Sequence, residues 1–506
     1  MRQLAPDYRP YRWAATTPEV ARLAGIDESQ VLRFDQNTPS WPLPSTRPGA
    51  VAGALARISG YPGGGYVPLR RAIADYAGVE PENVVLGAGA DDLILLCARS
   101  YAGPGDAVSI PQSPTYPLYR IAAQLAGADV GEDDPSLTFF CYPNNPTGAL
   151  DPLPEVANLV VDEAYHEYSG ATAAGTDAVV LRTFSKLFAL AGARIGYAIA
   201  PRDVADELNA RQAPAPVSSL AADLAIAALA AKPDPRPEIE ERERLASALR
   251  ALGLAPLDSH TNFLYVPVED GAALGDALLR QGIVVRAYPD AIRASVRDAA
   301  DDDVLVETLA RILDRPAPVA ARGGRVARTV RATAETRFAT RLALDGASRV
   351  RVATGAGLYD HFLEQLAFHA GFDLILEGAG DLETGDHHTA EDAALAFGAA
   401  LDAALGDRRG VARYGDAVVP MDDALAHAAV DLGGRAHAEL QLEHDPGMAA
   451  HMLASFAQAA RLAVHVQATG RDAHHVAEAA FKAVGRALRA AVRTEFSGLP
   501  STKGVL

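Results

Sequence analysis

The chain has 506 residues, 49% hydrophobic and 22% charged; it is too long for a single core, so two to four globular domains are expected. Its net charge of −18 argues against nucleic acid or an anionic membrane as a partner. The two cysteines, Cys97 and Cys141, offer neither a CxxC pair nor a disulfide framework, and the opening MRQLAPDYRPYRW lacks the apolar core of a signal peptide. The most apolar helix-like run, SLAADLAIAALAA from Ser219, is interrupted by Asp223 and reads as a core helix, so a cytoplasmic protein with buried thiols and no membrane span is predicted.

A polar, Pro-rich arm leads to LRFDQNTPSWP at Leu32, and GYPGGGYVPLRRAIADYAG from Gly60 reads as a Gly-rich turn and an amphipathic helix. VVLGAGADDLILLCARSYAG then predicts strand, tight turn and helix. A turn at a helix N-terminus can hold a phosphate with free N–H groups, although many α/β proteins turn this way. DAVSI, a helix near Leu118, LTFFCYPNNPTG, LVVDEAYHEY and AVVLRTFSK continue the alternation; their apolar runs predict buried parallel strands with chemistry at the carboxyl ends. Asn145, Asp162, Tyr165 and Lys186 fall at such ends. A lysine there is usually a solvated tip. In TFSKLFALAGARIGY, however, apolar residues surround Lys186, which favours loss of its proton and service as an amine nucleophile, as in Schiff-base lysines.

With GAGADDLI, PTYPLY, PNNPTG, VVDEAYHEY and RTFSKLFALAGARIGY in this order, residues 1–316 resemble a fold-type I pyridoxal-phosphate aminotransferase, and are most similar to histidinol-phosphate aminotransferases. The resemblance implies a large mixed, mostly parallel sheet with helices on both faces and a smaller domain. It implies that Lys186 binds the cofactor covalently and shuttles a proton, that Asp162 pairs with the ring nitrogen, that Asn145 and Tyr165 bond the phenolic oxygen, and that Tyr116 stacks on the ring. Ser185, Arg194 and the backbone at Ala90 and Asp91 would hold the cofactor phosphate, and Tyr61 would reach a phosphate across a dimer interface. Asn37, Asn262 and Arg293 match substrate positions, Arg293 as a clamp on an anionic group, with Arg286 assisting. The family's LRITVGT reads IRASVRD here, NENP reads DQNTP, and the chain is short from Ala128 to Phe139 and from Gly148 to Val160. These trims should remove surface elements and spare the cofactor contacts.

DRPAPVAARGG, Asp314 to Gly324, has no hydrophobic period and reads as a linker, placed at 317–324 before a second domain at 325–506. RVARTVRATAETRFATRLAL alternates and places Glu335 within a strand. GDHHTAED and AHHVAEA both contain His-His-x-x-Glu: His387, His388 and Glu391, then His474, His475 and Glu478. On a helix the first His and the Glu share a face, and the second His points about 100° away. His361 lies 26 residues before His387 and His451 lies 23 before His474, so the half-domain repeats. Solvated His-rich helix ends are the alternative for one copy. Two facing copies would hold two metal ions, each drawing ligands from both. His465 has no counterpart and is read as structural. Six imidazoles and two carboxylates without a thiolate suit Mn²⁺ or a neighbouring divalent ion with open positions. Arg413, Arg435, Lys482, Ser501 and Lys503 form a cationic set placed apart from the metals; each alone reads as a surface group, but STKGVL is a plausible phosphate clamp.

Given RATAET, DHF, HHTAED, GDRRGVARYGDAVVPMDDALAH, DLGGR, HHVAEAAFKA and PSTKGVL, residues 325–506 resemble imidazoleglycerol-phosphate dehydratases nearly end to end, which implies a duplicated α+β half-domain fold. The resemblance implies a di-manganese site, assigns the cationic set to the substrate phosphate and makes Glu335 a candidate proton-transfer group. The departures are a shortened stretch after Arg435, a shorter second-half hairpin and LYDHF for LDHM. The paired resemblances imply a bifunctional enzyme of histidine biosynthesis, dehydrating imidazoleglycerol phosphate to imidazole-acetol phosphate and transaminating that ketone with glutamate to histidinol phosphate. An aminotransferase of other, for example aromatic, specificity and a non-catalytic scaffold domain remain as alternatives. The first family implies dimers, and the second implies trimers packed into a 24-subunit shell.

Overall fold

The computed structural model describes residues 5–11, 13–40, 48–318, 325–346, 348–495 and 498–501. It divides into two compact units, Met1–Arg322 and Gly323–Leu506. Of the expected 317–324 linker, residues 319–324 lie outside the described residues, as does Lys503.

In the first unit a seven-stranded sheet runs in the order Val84–Gly87, Gly196–Ile199, Val179–Thr183, Leu159–Asp162, Leu137–Cys141, Ala107–Ser109 and Asp129–Val130. Gly196–Ile199 is antiparallel to both neighbours, and the other pairings are parallel. Leu137–Cys141, Leu159–Asp162 and Val179–Thr183 bury every residue, because apolar clusters cover both sheet faces. This is why their sequences are continuous apolar runs rather than alternating ones. Gly196 lets the Ala90–Tyr101 helix start against the sheet, since a Cβ there would lie 2.8 Å from the Arg182 carbonyl oxygen and 2.9 Å from the Ala90 nitrogen. Residues 149–158, the second trimmed stretch, carry neither helix nor strand. Ser219–Ala231 is a helix of 13 residues, and among the described residues no helix is long and apolar enough to cross a membrane. Cys97 and Cys141 are buried and free.

A smaller antiparallel sheet, Arg286–Tyr288, Ala291–Ser295 and Phe263–Pro267, packs with the helices Arg236–Ala251 and Ala299–Ile312 around its own core. Leu32–Arg33 joins this part by pairing with Ile283–Val284. Asn37, Asn262 and Arg293 are thereby carried toward the carboxyl ends of the large sheet.

The second unit contains two four-stranded sheets of the same plan. One runs Val326–Ala332, Thr336–Ala343, Asp373–Gly380, Val350–Ala353; the other runs Tyr414–Met421, Ala424–Asp431, Ala463–Thr469, His437–Leu442. In each the first three strands are antiparallel and the last pairing is parallel. Burial alternates along Thr336–Ala343 and Ala424–Asp431, since each sheet turns one face to the helices. Helices pair across the halves: His387–Leu405 packs on Ala449–Ala460, and Gly357–Ala370 on Ala473–Ala491. Glycine marks both crossings. A Cβ on Gly398 would strike the Phe456 carbonyl oxygen, and one on Gly485 the Leu366 carbonyl oxygen. Glu335 is not within a strand, contrary to the expectation. The chain reverses at 333–335, where the Thr333 hydroxyl oxygen accepts from the backbone N–H groups of Glu335 (3.2 Å) and Thr336 (3.0 Å).

Candidate active sites

In the first unit, the candidate groups converge where the parallel strands end. Asp162, the last residue of its strand, is 4% exposed, and its Oδ2 accepts from the Tyr119 hydroxyl at 2.7 Å. Burial pushes the carboxyl up to about 6, while the Tyr119 hydroxyl and the Ala164 N–H pull it down. Tyr119 was not singled out from the sequence. It lies on the Leu118–Ala126 helix and reaches Asp162 across elements, a contact that no local pattern in the sequence reports. Tyr116 donates its hydroxyl to Asp91 Oδ1 at 3.0 Å and meets the Tyr119 ring edge-on.

Lys186 follows the Val179–Thr183 strand by three residues. Its Nζ donates to the Gln36 carbonyl at 3.3 Å and lies 5.5 Å from the Tyr165 ring centre. Burial, with the nearby Arg293 guanidinium, lowers its pKa to about 8. Around it runs a polar network. The Asn37 amide donates to the Tyr165 hydroxyl (2.9 Å), Asn262 donates to the Asn37 carbonyl (3.1 Å), and Arg293 donates to Asn145 Oδ1 (2.6 Å) and the Asp35 carbonyl (2.7 Å). Burial holds the Tyr165 hydroxyl protonated, above the usual phenol range. Buried Asn37 Oδ1, Asn262 Oδ1 and Arg293 Nε have no hydrogen-bond partner among the described residues, which fits a site built to receive a polar ligand.

The turn before the Ala90–Tyr101 helix is tight: Gly89 has φ 88°, and a Cβ there would lie 2.8 Å from the Arg194 guanidinium. Arg194 pairs with Asp91 Oδ2 at 3.0 Å, and the Ser185 hydroxyl accepts from Thr183 at 2.9 Å. A helix N-terminus, an arginine and a hydroxyl together form a phosphate cradle, so these residues fit pyridoxal phosphate. Tyr61 is 95% exposed and apart from this network. The departure at Arg297 leaves the network intact, because that guanidinium turns to Asp301 (2.7 Å) and the Arg33 carbonyl (3.2 Å).

Among the described residues of the second unit, three groups of possible metal ligands form, and two of them draw on both halves. His387, Glu391 and His451 make one, and His361, His474 and Glu478 the other; within each, one candidate ligand atom per residue lies within 4.8 Å of the others. Glu391 Oε2 is 3.4 Å from Nε2 of His387 and from Nε2 of His451. Glu478 Oε2 is 3.3 Å from His474 Nε2 and 3.6 Å from His361 Nε2. Two imidazoles and a carboxylate with open positions are a donor set that fits Mn²⁺.

His388 and His475 stand outside these two clusters, because the 100° step along the helix turns each of them away, and His388 falls instead in a third group with Glu335 and Asp381. His388 Nδ1 faces Asp381 Oδ2 at 3.0 Å and Glu335 Oε2 at 3.6 Å, and His475 Nδ1 faces Asp423 Oδ1 at 2.6 Å. Hydrogen bonding to these aspartates raises the pKa of both histidines. Asp381 and Asp423 were missed in the sequence, although Asp423 lies in the quoted PMDDALAH.

The cationic set is not all apart from the metal clusters. Lys482 Nζ sits 2.7 Å from Glu478 Oε1, four residues along the same helix. Burial works to raise the Glu478 carboxyl, but Lys482 and His361 carry it below its ordinary value. Arg413 pairs with Asp431 (2.7 Å) and donates to the Pro500 carbonyl (3.0 Å), which brings it beside the chain at Ser501. Arg435 is exposed, and His465 stands on its strand 5.3 Å, ring to ring, from His437.

The family model for aminotransferase class I and II matches residues 29–133 and 131–312, and that for imidazoleglycerol-phosphate dehydratase matches residues 354–488. The imidazoleglycerol-phosphate dehydratase of Salinispora arenicola is 49% identical over 201 residues, covering 36% of this chain and 99% of that protein. Histidinol-phosphate aminotransferase from Sinorhizobium meliloti, solved with pyridoxal-5'-phosphate, aligns with a TM-score of 0.53 and 26% identity over 60% of this chain and 95% of its own. The histidinol-phosphate aminotransferase from Clostridium acetobutylicum shares the fold, with a TM-score of 0.51 and 22% identity over 56% of this chain and 99% of its own.

Proposed function

Residues 29–312 belong to the class I and II aminotransferases and the region around 354–488 to the imidazoleglycerol-phosphate dehydratases, and from that premise we propose that the two sites act on one metabolite in succession. The chain is a bifunctional enzyme of histidine biosynthesis. Its dehydratase unit converts imidazoleglycerol phosphate to imidazole-acetol phosphate, and its aminotransferase unit converts that ketone, with glutamate, to histidinol phosphate. The observation that carries this reading is the presence of both family matches on one chain, since the product of the first reaction is the substrate of the second.

Pyridoxal phosphate, when bound, supplies an electron sink for the amino-acid carbon. We assign Lys186 to its covalent attachment and to moving a proton on the substrate carbon. Its lowered pKa leaves much of the amine neutral near pH 7.5. Asp162, held by the Tyr119 hydroxyl, would keep the proton on the ring nitrogen. Tyr165 and Asn145 would hold the phenolic oxygen, Tyr116 would lie against the ring, and Ser185, Arg194 and the N–H groups at Ala90 and Asp91 would hold the phosphate. Arg293 meets an anionic group of the substrate, with Asn37 and Asn262 lining the same pocket.

Manganese ions, when bound, supply Lewis-acid polarisation of the substrate. The clusters His387, Glu391, His451 and His361, His474, Glu478 are the proposed inner ligands. We read His388 and His475, which face away, as ligands to clusters of a neighbouring copy, so that the working form is a homo-oligomer, a 24-subunit shell through this unit. The exposure of Tyr61 fits a shared site in the other unit as well. Glu335, on its exposed hairpin turn, moves a proton on the substrate. Arg413, Arg435, Lys482, Ser501 and Lys503 are assigned to the substrate phosphate. We propose 1–316 and 325–506 as the functional domain limits.

Measuring amine transfer to imidazole-acetol phosphate against phenylpyruvate tests the aminotransferase assignment. Preference for imidazole-acetol phosphate is expected, and preference for phenylpyruvate would replace it with an aromatic aminotransferase.

A further inference from the structure

We infer that Asp381 and Asp423 are the positioning residues of the two outward histidines, His388 and His475, and that the two halves recruit this carboxylate from different places. The inference rests on the reading of those histidines as metal ligands. Asp381 Oδ2 lies 3.0 Å from His388 Nδ1, and Asp423 Oδ1 lies 2.6 Å from His475 Nδ1. An ionised carboxylate only accepts, so Nδ1 carries the hydrogen in both rings and the Nε2 lone pair is left for a metal.

The internal duplication shows that the two aspartates are not counterparts. Gly380 and Gly470 occupy the same place in their halves. A Cβ on Gly380 would meet Thr336 and Thr389, and one on Gly470 would meet Ala424 and Val476; Thr336 and Ala424 each open the second strand, and Thr389 and Val476 each lie two residues past the first His of the motif. The residue after each glycine is therefore Asp381 in one half and Arg471 in the other. An arginine cannot accept from Nδ1–H. In the second half the carboxylate comes instead from Asp423, just before Ala424, which also accepts from the Arg471 and Asp472 N–H groups at 2.7 and 3.1 Å.

The counterpart of Asp423 in the first half is Glu335, just before Thr336. Because Asp381 already holds His388 there, Glu335 stands back at 3.6 Å and is exposed. One hairpin carboxylate is thus committed to orienting a histidine, and the other is released for the substrate.

Mn²⁺ titration of the full chain, with free ion counted by its paramagnetic resonance, tests this. Asp423→Asn and Asp381→Asn should each weaken Mn²⁺ binding by about tenfold or more, at an unchanged unfolding midpoint of the metal-free protein, because asparagine keeps an acceptor for the Arg471 and Asp472 N–H groups in one case and for the Thr384 hydroxyl in the other. Glu335→Gln should bind Mn²⁺ within about twofold of the parent while dehydration falls. Parent-like Mn²⁺ affinity in both Asp→Asn variants, or a Glu335→Gln loss as large as theirs, would overturn the inference. His388→Ala and His475→Ala separate the levels: if they bind Mn²⁺ like the parent, the ligand reading itself fails, whereas weakened binding in them with intact binding in the Asp→Asn variants sinks the positioning role alone.

Discussion

The hydroxyl of Tyr119 donates to Oδ2 of Asp162 at 2.7 Å, and both side chains are buried. Burial raises the pKa of this carboxyl, and the hydrogen bond is the chief force opposing it. A hydrogen bond to a charged group is worth about 1.5–3 kcal/mol, or roughly one to two pH units. Tyr119→Phe should therefore move the acidic limb of the transamination kcat–pH profile upward by about that much, with activity recovering as pH rises and Asp162 ionises. An unshifted limb would remove Tyr119 from the site.

Lys186 makes a second pH prediction. A pKa lowered to about 8 means the neutral amine is lost below that value and gained above it. At pH 7.5 about a quarter of the chains carry a neutral amine, against roughly a thousandth for an ordinary lysine. The rate at which metal-replete, cofactor-free protein captures pyridoxal phosphate, followed by absorbance, should rise with a midpoint near pH 8. A midpoint near that of free lysine would contradict the burial argument, and Lys186→Ala should show no capture.

The metal clusters predict a division of labour. A chelator should stop dehydration, leave transamination of supplied ketone intact, and be reversed by Mn²⁺. His361→Ala, His451→Ala, His388→Ala and His475→Ala should each abolish dehydration alone. Retention of dehydratase activity in any of them would strike that residue from the ligand set.

Gly398 and Gly485 hold the two helix crossings that bring Glu391 to His451 and His361 to His474. Alanine at either site overpacks the crossing by about 1–3 kcal/mol. In a domain of this size that lowers the unfolding midpoint by roughly 2–4 °C per kcal/mol. Mn²⁺ affinity should fall with it, read by calorimetry and metal titration; a parent-like midpoint would show that the helices separate freely.

Much of this architecture was legible because its signals are local. Apolar runs ending in Asn145, Asp162 and Lys186 mark parallel strands, and a repeated His-His-x-x-Glu marks a duplicated helix. The failures came where local signals end. Alternation continues through Thr333–Glu335, so the hairpin turn, held by one threonine hydroxyl, was read as strand. Lys482 was grouped by charge with distant residues, although its i,i+4 spacing to Glu478 was in plain view. Asp381 and Tyr119 act through contacts across turns and between elements, which no spacing rule reports.

The central claim is that one chain links dehydration to amination. Purified protein supplied with Mn²⁺, pyridoxal phosphate, glutamate and imidazoleglycerol phosphate should form histidinol phosphate and 2-oxoglutarate in equal amounts, followed by mass spectrometry. Lys186→Ala should instead accumulate imidazole-acetol phosphate. Accumulation of that ketone by the parent protein, with no 2-oxoglutarate formed, would contradict the account.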